Sequence, residues 1–153
     1  MFGDVMKSDI ALNIDNIFLN IRVGIIFKYQ GKVLIEIRKD RIGNSVIPGG
    51  RLKIDELREA ALKREIKEEM HYTLDDNKIK FIKTLEYFFD FDNKKYHELF
   101  FVYEYLMDER TYQDLLEIKE NQDNFITDYI FIDYNQFDEV NLLPMEIRDI
   151  IKE

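Results

Sequence analysis

The 153-residue sequence predicts an α/β (α+β) fold, a compact sandwich around a mixed sheet. Runs dense in β-branched and aromatic residues recur along the chain. One long run rich in Glu, Lys and Ala interrupts them as a helix. Turn residues, including both prolines, stand at the boundaries.

The elements follow in order. Phe18 to Tyr29 reads as a largely buried strand, and Gln30-Gly31-Lys32 as a turn. Val33 to Arg38 alternates, with Val33, Ile35 and Ile37 on one face and Leu34, Glu36 and Arg38 on the other; this second strand is expected to form a hairpin with the first. A polar loop, Lys39 to Ser45, leads through Val46-Ile47 into Pro48-Gly49-Gly50. Asp55 to Met70 is the clearest helix, with Asp55 as its expected N-cap. Ile79 to Phe91 and Tyr96 to Met107 are aromatic strands joined by Asp92-Asn93-Lys94. Tyr112 to Lys119 predicts a short helix, Asn124 to Ile132 a strand, and Pro144 the first position of a terminal helix. No repeat, low-complexity tract or linker divides the chain, so one domain over 1–153 is expected, with 1–17 as an N-terminal extension.

Composition removes several function classes. A chain without cysteine has no disulfide scaffold, thiolate nucleophile, cysteine–zinc site or iron–sulfur cluster. The net charge of −9 weighs against coating nucleic acid or anionic lipid. That charge is unevenly placed: residues 1–107 hold 18 basic and 18 acidic side chains, and residues 108–153 hold 4 and 13. The acidity of the C-terminal third therefore does not argue against a small anionic substrate bound elsewhere. Met1 to Asn13 lacks the basic and long apolar regions of a signal peptide, and no apolar run approaches the roughly 18 residues of a membrane span. A cytoplasmic protein is the expectation.

At about 100° per residue, Glu65, Glu68 and Glu69 fall within an arc of about 100° on the predicted helix. Three carboxylates on one face are either a solvated surface or a site for a cation. All-oxygen ligation suits Mg²⁺ or Mn²⁺. Spacing bears on the choice. Gly50, five residues, Glu56, seven residues, then Arg64-Glu65-Ile66-Lys67-Glu68-Glu69 forms a fixed array, entered through Pro48-Gly49. It resembles the signature of the Nudix hydrolase family. One position departs from that pattern: His71, followed by Tyr72, stands where the family usually has a glycine. A glycine there permits a left-handed helix end, so the departure bears on the helix exit. Ile21-Arg22-Val23, the Gly31–Ile35 turn and strand, and Leu143-Pro144 also look similar to the family's layout.

The resemblance implies a Nudix-like α/β/α sandwich and a divalent-metal-dependent pyrophosphohydrolase. Such an enzyme cleaves a nucleoside diphosphate linked to another moiety, such as an ADP-ribose-type nucleotide sugar or a nucleoside triphosphate, by attack of a metal-activated water on phosphorus. It implies Glu65, Glu68 and Glu69, with the Gly49 carbonyl, as ligands of Mg²⁺ or Mn²⁺, and Arg64 and Glu56 as the residues that hold the preceding loop to the helix. Glu98, after His97, resembles an extra catalytic carboxylate and is the candidate general base; an edge-strand Glu in water is the plain alternative. His97 is either an acid–base group or an ordinary, partly buried histidine. Arg38, Arg22 and Arg51 are the candidate phosphate-binding residues, since guanidinium pairs with phosphate in two-pronged fashion. Tyr87, Phe88, Phe89 and Phe91 would supply either a stacking surface or core and dimer contacts. The implied partner is a small nucleoside diphosphate derivative, not nucleic acid or membrane, with a homodimer as a further possibility. The competing function is a Nudix-fold module that binds a nucleotide without turnover.

Overall fold

The computed structural model describes residues 7–40 and 43–153. Residues 1–6 of the expected N-terminal extension and residues 41–42 of the expected Lys39–Ser45 loop lie outside the described residues.

The strands divide into two sheets. One runs β1 (Ala11–Ile14), β2 (Ile17–Ile26), β8 (Lys94–Tyr105), β7 (Ile79–Phe91), with β6 (Gly49–Arg51) also on β2. Here β2 and β8 are parallel and the other pairs antiparallel, which makes the expected mixed sheet. The other sheet joins β3 (Lys28–Tyr29), β4 (Lys32–Arg38) and β5 (Ser45–Val46), with β9 (Thr127–Asp133) on β4. The helices are α1 (Arg58–Met70), α2 (Glu109–Leu116) and α3 (Glu146–Lys152).

Alternation along β2 and β8 divides the core in two. On one face, Val23, Ile25 and Tyr103 pack with Leu62, Ile66 and Met70 of α1. On the other, Ile26, Phe100 and Val102 pack with Val33, Ile35 of β4 and Ile147, Ile151 of α3. Helices thus cover both faces, giving the predicted α/β/α layering. Among the described residues, no helix is long and apolar enough to cross a membrane.

Four local expectations change. The run Phe18–Tyr29 is broken at Phe27, and only Lys28-Tyr29 pairs with the next strand. The chain therefore passes from one sheet to the other there, rather than folding back as one hairpin. The helix begins at Arg58, with Leu57 as its N-cap and no side-chain cap. Asp55 stands outside it at φ 62°, where its carboxylate meets Lys7 at 3.3 Å. The predicted short helix begins three residues early, because Asp108 caps it by accepting from the Thr111 N–H at 2.7 Å. Pro144 precedes α3 by two residues instead of opening it.

The helix ends in a left-handed turn even without the glycine. His71 is left-handed at φ 51°, ψ 32°, and its N–H donates to Lys67 O at 3.1 Å. A side chain at such a backbone position costs about 1 kcal/mol. Replacing His71 by Gly is expected to raise stability by about 0.5–1 kcal/mol, read as a higher denaturant midpoint at unchanged slope.

Candidate active site

The predicted site residues gather where β6 runs between β2 and α1. Gly49 lies opposite Gly24, Gly50 opposite Val23 and Arg51 opposite Arg22. A methyl group on Gly49 would overlap the Val23 carbonyl oxygen, and one on Gly50 would overlap the Glu65 carboxyl group. Two consecutive glycines let the strand lie this close to both neighbours.

Arg64 ties the incoming loop to the helix. Its Nε donates to Glu56 Oε2 at 2.7 Å, and its Nη2 donates to Glu56 Oε1 and to the Arg51 carbonyl, both at 3.0 Å. Its Nη1 reaches Glu65 at 2.9 Å and Glu68 at 3.2 Å. Glu56 also accepts the Lys53 N–H at 2.9 Å, so its carboxylate closes the turn before the helix. The Arg64 hydrogen bonds hold Glu56 below the usual carboxylate range. Lysine offers a point charge in place of this fork. Arg64→Lys is accordingly expected to lower unfolding free energy by about 1–3 kcal/mol, measured by denaturant titration.

Beyond Arg64 the carboxylates are buried and crowded. Burial raises the Glu65 carboxyl despite Arg64. Glu69 is pushed up to about 10, first by burial and then by the charges of Glu36 and Glu65. Glu69 Oε2 and Glu36 Oε1 are buried without a hydrogen-bond partner. Burial pushes Glu36 up to about 7, although it accepts from the Tyr129 hydroxyl and the Gly49 N–H. These orphaned oxygens on crowded carboxylates suit a hard divalent cation. Among the described residues, no three acidic or imidazole groups converge to enclose an ion. Glu65 and Glu68 are instead turned toward Arg64.

A cavity of about 750 Å³ opens beside this cluster, lined by Gly49, Gly50, Glu69 and all three predicted arginines, Arg22, Arg38 and Arg51. A smaller depression holds Arg64, Glu65 and Glu68, and shares Gly50, Arg51 and Glu69 with it. Arg38 is engaged, its Nε and Nη2 donating to Asp40 at 2.9 and 2.8 Å.

Glu98 also lines the cavity but is neither on an edge nor in water. β8 lies between β2 and β7, and Glu98 is 3% exposed. It accepts from the Tyr87 hydroxyl at 2.7 Å and the Asn20 amide at 3.2 Å, and faces Arg22 at 3.8 Å. Burial works against the Arg22 charge, and Glu98, Tyr87, Glu36 and Glu69 more than offset it. His97 stands on the opposite face, 2.9 Å from Glu86 and with its ring tilted at 46° to that of Phe88, away from this cluster.

A model of the NUDIX domain matches residues 19–152. The chain belongs to the NUDIX family. The expected enzyme class, a Nudix-type hydrolase, goes with that membership. Solved structures share the fold. The MutT protein described for Aliivibrio salmonicida and Vibrio cholerae superposes with TM-score 0.58 at 19% identity, over 88% of this chain and 94% of that one. A NUDIX hydrolase from Nitrosomonas europaea gives 0.60 at 15%, over 87% and 86%. The Ap4A hydrolase of C. elegans gives 0.54 at 13%, over 88% and 94%. No curated protein matches the sequence.

This NUDIX chain carries groups at the cavity that the sequence alone does not mark: Glu36, Asn20 and the Tyr87 hydroxyl. Sequence alternation puts Glu36 on the same face of its strand as Leu34 and Arg38 and gives it no role. Its neighbour on that side, Leu34, is 1% exposed, so both faces of β4 are covered. The legible signal was an acid set between Leu34 and Arg38 in a short apolar strand.

Proposed function

We propose that the protein is a divalent-metal-dependent pyrophosphohydrolase acting on a small nucleoside diphosphate derivative, an ADP-ribose-type nucleotide sugar or a nucleoside triphosphate. The observation that carries this reading is the junction at Gly49–Gly50. There the carboxylate face of α1 meets a cavity lined by Arg22, Arg38 and Arg51. That arrangement pairs a cation site with phosphate-binding side chains at one edge. The name of the Ap4A hydrolase neighbour agrees with a nucleotide substrate. The reading carries with it a cytoplasmic location and no nucleic-acid or membrane partner, in keeping with the net charge of −9. A homodimer is compatible with it and not required by it.

Glu65, Glu68 and Glu69, with the Gly49 carbonyl, would hold Mg²⁺ or Mn²⁺. Bound there, the ion supplies charge neutralisation at the pyrophosphate and acidifies the attacking water. The arginines bind and orient the phosphates. Arg64 and Glu56 keep the β6 loop seated on α1. The attacking water would lose its proton to a nearby carboxylate, for which Glu36 has a free oxygen. Glu98 fits the base role less well, because both its oxygens already accept hydrogen bonds and it faces the Arg22 guanidinium.

The test is a panel of nucleoside triphosphates, nucleotide sugars and dinucleoside polyphosphates incubated with the protein and Mg²⁺, with phosphate released by coupled phosphatase. Turnover of at least one compound, abolished by EDTA, is expected. Tight binding of one compound with turnover of none would instead identify a nucleotide-binding module.

A further inference from the structure

The cavity face of the first sheet is built in rows. Register places Phe18, Tyr96 and Phe89 side by side across β2, β8 and β7; two residues along, it places Asn20, Glu98 and Tyr87; two further, Arg22 and Phe100. Successive rows are about 7 Å apart, and all point to one face. The first row is a run of rings, Phe89 stacked on Tyr96 at 4.8 Å and 4°, and Tyr96 on Phe18 at 5.6 Å. The second is polar, with Asn20 and Glu98 buried. The third leads through Arg22 toward Glu36 and Glu69.

Asn20 is the unexplained member. It is 2% exposed and lines the cavity, yet its Oδ1 has no hydrogen-bond partner. The amide cannot be reversed without cost. Its Nδ2 donates to Glu98, a carboxylate that only accepts, so Oδ1 is held as the free acceptor. Tyr87 and Arg22 fix Glu98 in turn. A buried acceptor held open in this way calls for a donor from a ligand. Next to a row of rings, that ligand is planar and carries an N–H group.

We propose that the aromatic row seats a nucleobase and that Asn20 selects one presenting an exocyclic amino group over its oxo counterpart. The inference rests on the nucleotide reading above and deepens it. The base edge meets Asn20 in the second row, and the phosphates extend toward Arg22 and the carboxylates. A carbonyl in place of the amino group sets two acceptors against each other and leaves Oδ1 unpaired. Glu98 and Tyr87 are positioning residues in this scheme.

Calorimetric titration with nucleoside monophosphates tests it without turnover. The pairs AMP and IMP, CMP and UMP, and GMP and XMP each differ by an amino-for-oxo exchange. In at least one pair the amino member is expected to bind about tenfold more tightly, and tighter than ribose 5-phosphate. Asn20→Leu is expected to remove that difference. Equal affinity within all three pairs overturns the proposal while leaving the hydrolase reading to the turnover panel. Selectivity that survives in Asn20→Leu also overturns it. Binding no tighter than ribose 5-phosphate removes the base seat altogether. The wild-type pairs decide the question if the leucine variant does not fold.

Discussion

Glu69→Gln is expected to lower turnover by about three orders of magnitude, the scale of losing one preorganised group that stabilises transition-state charge. The substitution keeps the shape of the side chain and removes its charge. Because Arg64 reaches Glu65 and Glu68, Glu69 is the carboxylate whose buried oxygen is left for a cation. Stability should move the other way. Both Glu69 and Glu36 would titrate near 4.5 in the unfolded chain, and folding pushes them up to about 10 and about 7. A carboxyl raised on folding contributes stability that is full below about pH 4.5 and is lost as pH climbs through its folded value. The metal-free protein should therefore melt at progressively lower temperature from about pH 5 to about pH 9. Glu69→Gln should flatten that fall, since its amide carries no charge to bury. A rate unchanged in Glu69→Gln would refute the ligand assignment, and a melting temperature that rises with pH would refute the crowding.

The two glycines of β6 should respond differently to the same methyl group. In Gly49→Ala the new atom meets the Val23 carbonyl, part of the facing backbone, which cannot turn aside. A loss of about 3 kcal/mol or more in unfolding free energy is expected. In Gly50→Ala it meets the Glu65 carboxyl, the mobile end of a side chain. That variant should keep most of its stability and lose activity, by about a hundredfold, because Glu65 is displaced from its place beside Arg64. Denaturant titration and a rate assay on both proteins separate these effects. Equal stability losses in the two variants would show that Gly50 serves packing alone.

Much of this layout is legible before any coordinates, and the reason is local. The spacing from Gly50 to Glu69 records contacts made within one loop and one helix: Gly50 against Glu65, and Glu56 against Arg64. The aromatic strands and the Asp92-Asn93 turn, at φ 54° and 60°, are likewise short-range features. What escaped notice depends on distant chain segments. Glu36 becomes a site residue only because β9 brings Tyr129 opposite it and β6 brings Gly49 alongside. Asn20 and Tyr87 meet Glu98 only through pairings of β2 and β7 with β8. Glu98 resembles an extra catalytic carboxylate through its neighbours in sequence, whereas its environment is set by residues 78 and 11 positions away. The single hairpin expected from Phe18 to Arg38 failed for a related reason. A break at Phe27 is invisible because Ile25, Ile26, Phe27 and Tyr29 around it favour strands.

In the proposed reaction, water attacks phosphorus in a pyrophosphate held between the α1 carboxylates and the arginines. Hydrolysis of the best panel substrate in ¹⁸O-labelled water, with Mg²⁺ present, tests it most directly. One ¹⁸O per turnover is expected, carried on a phosphate oxygen of the products and detected by mass spectrometry. Label on a sugar hydroxyl, or phosphate products without label, would contradict it.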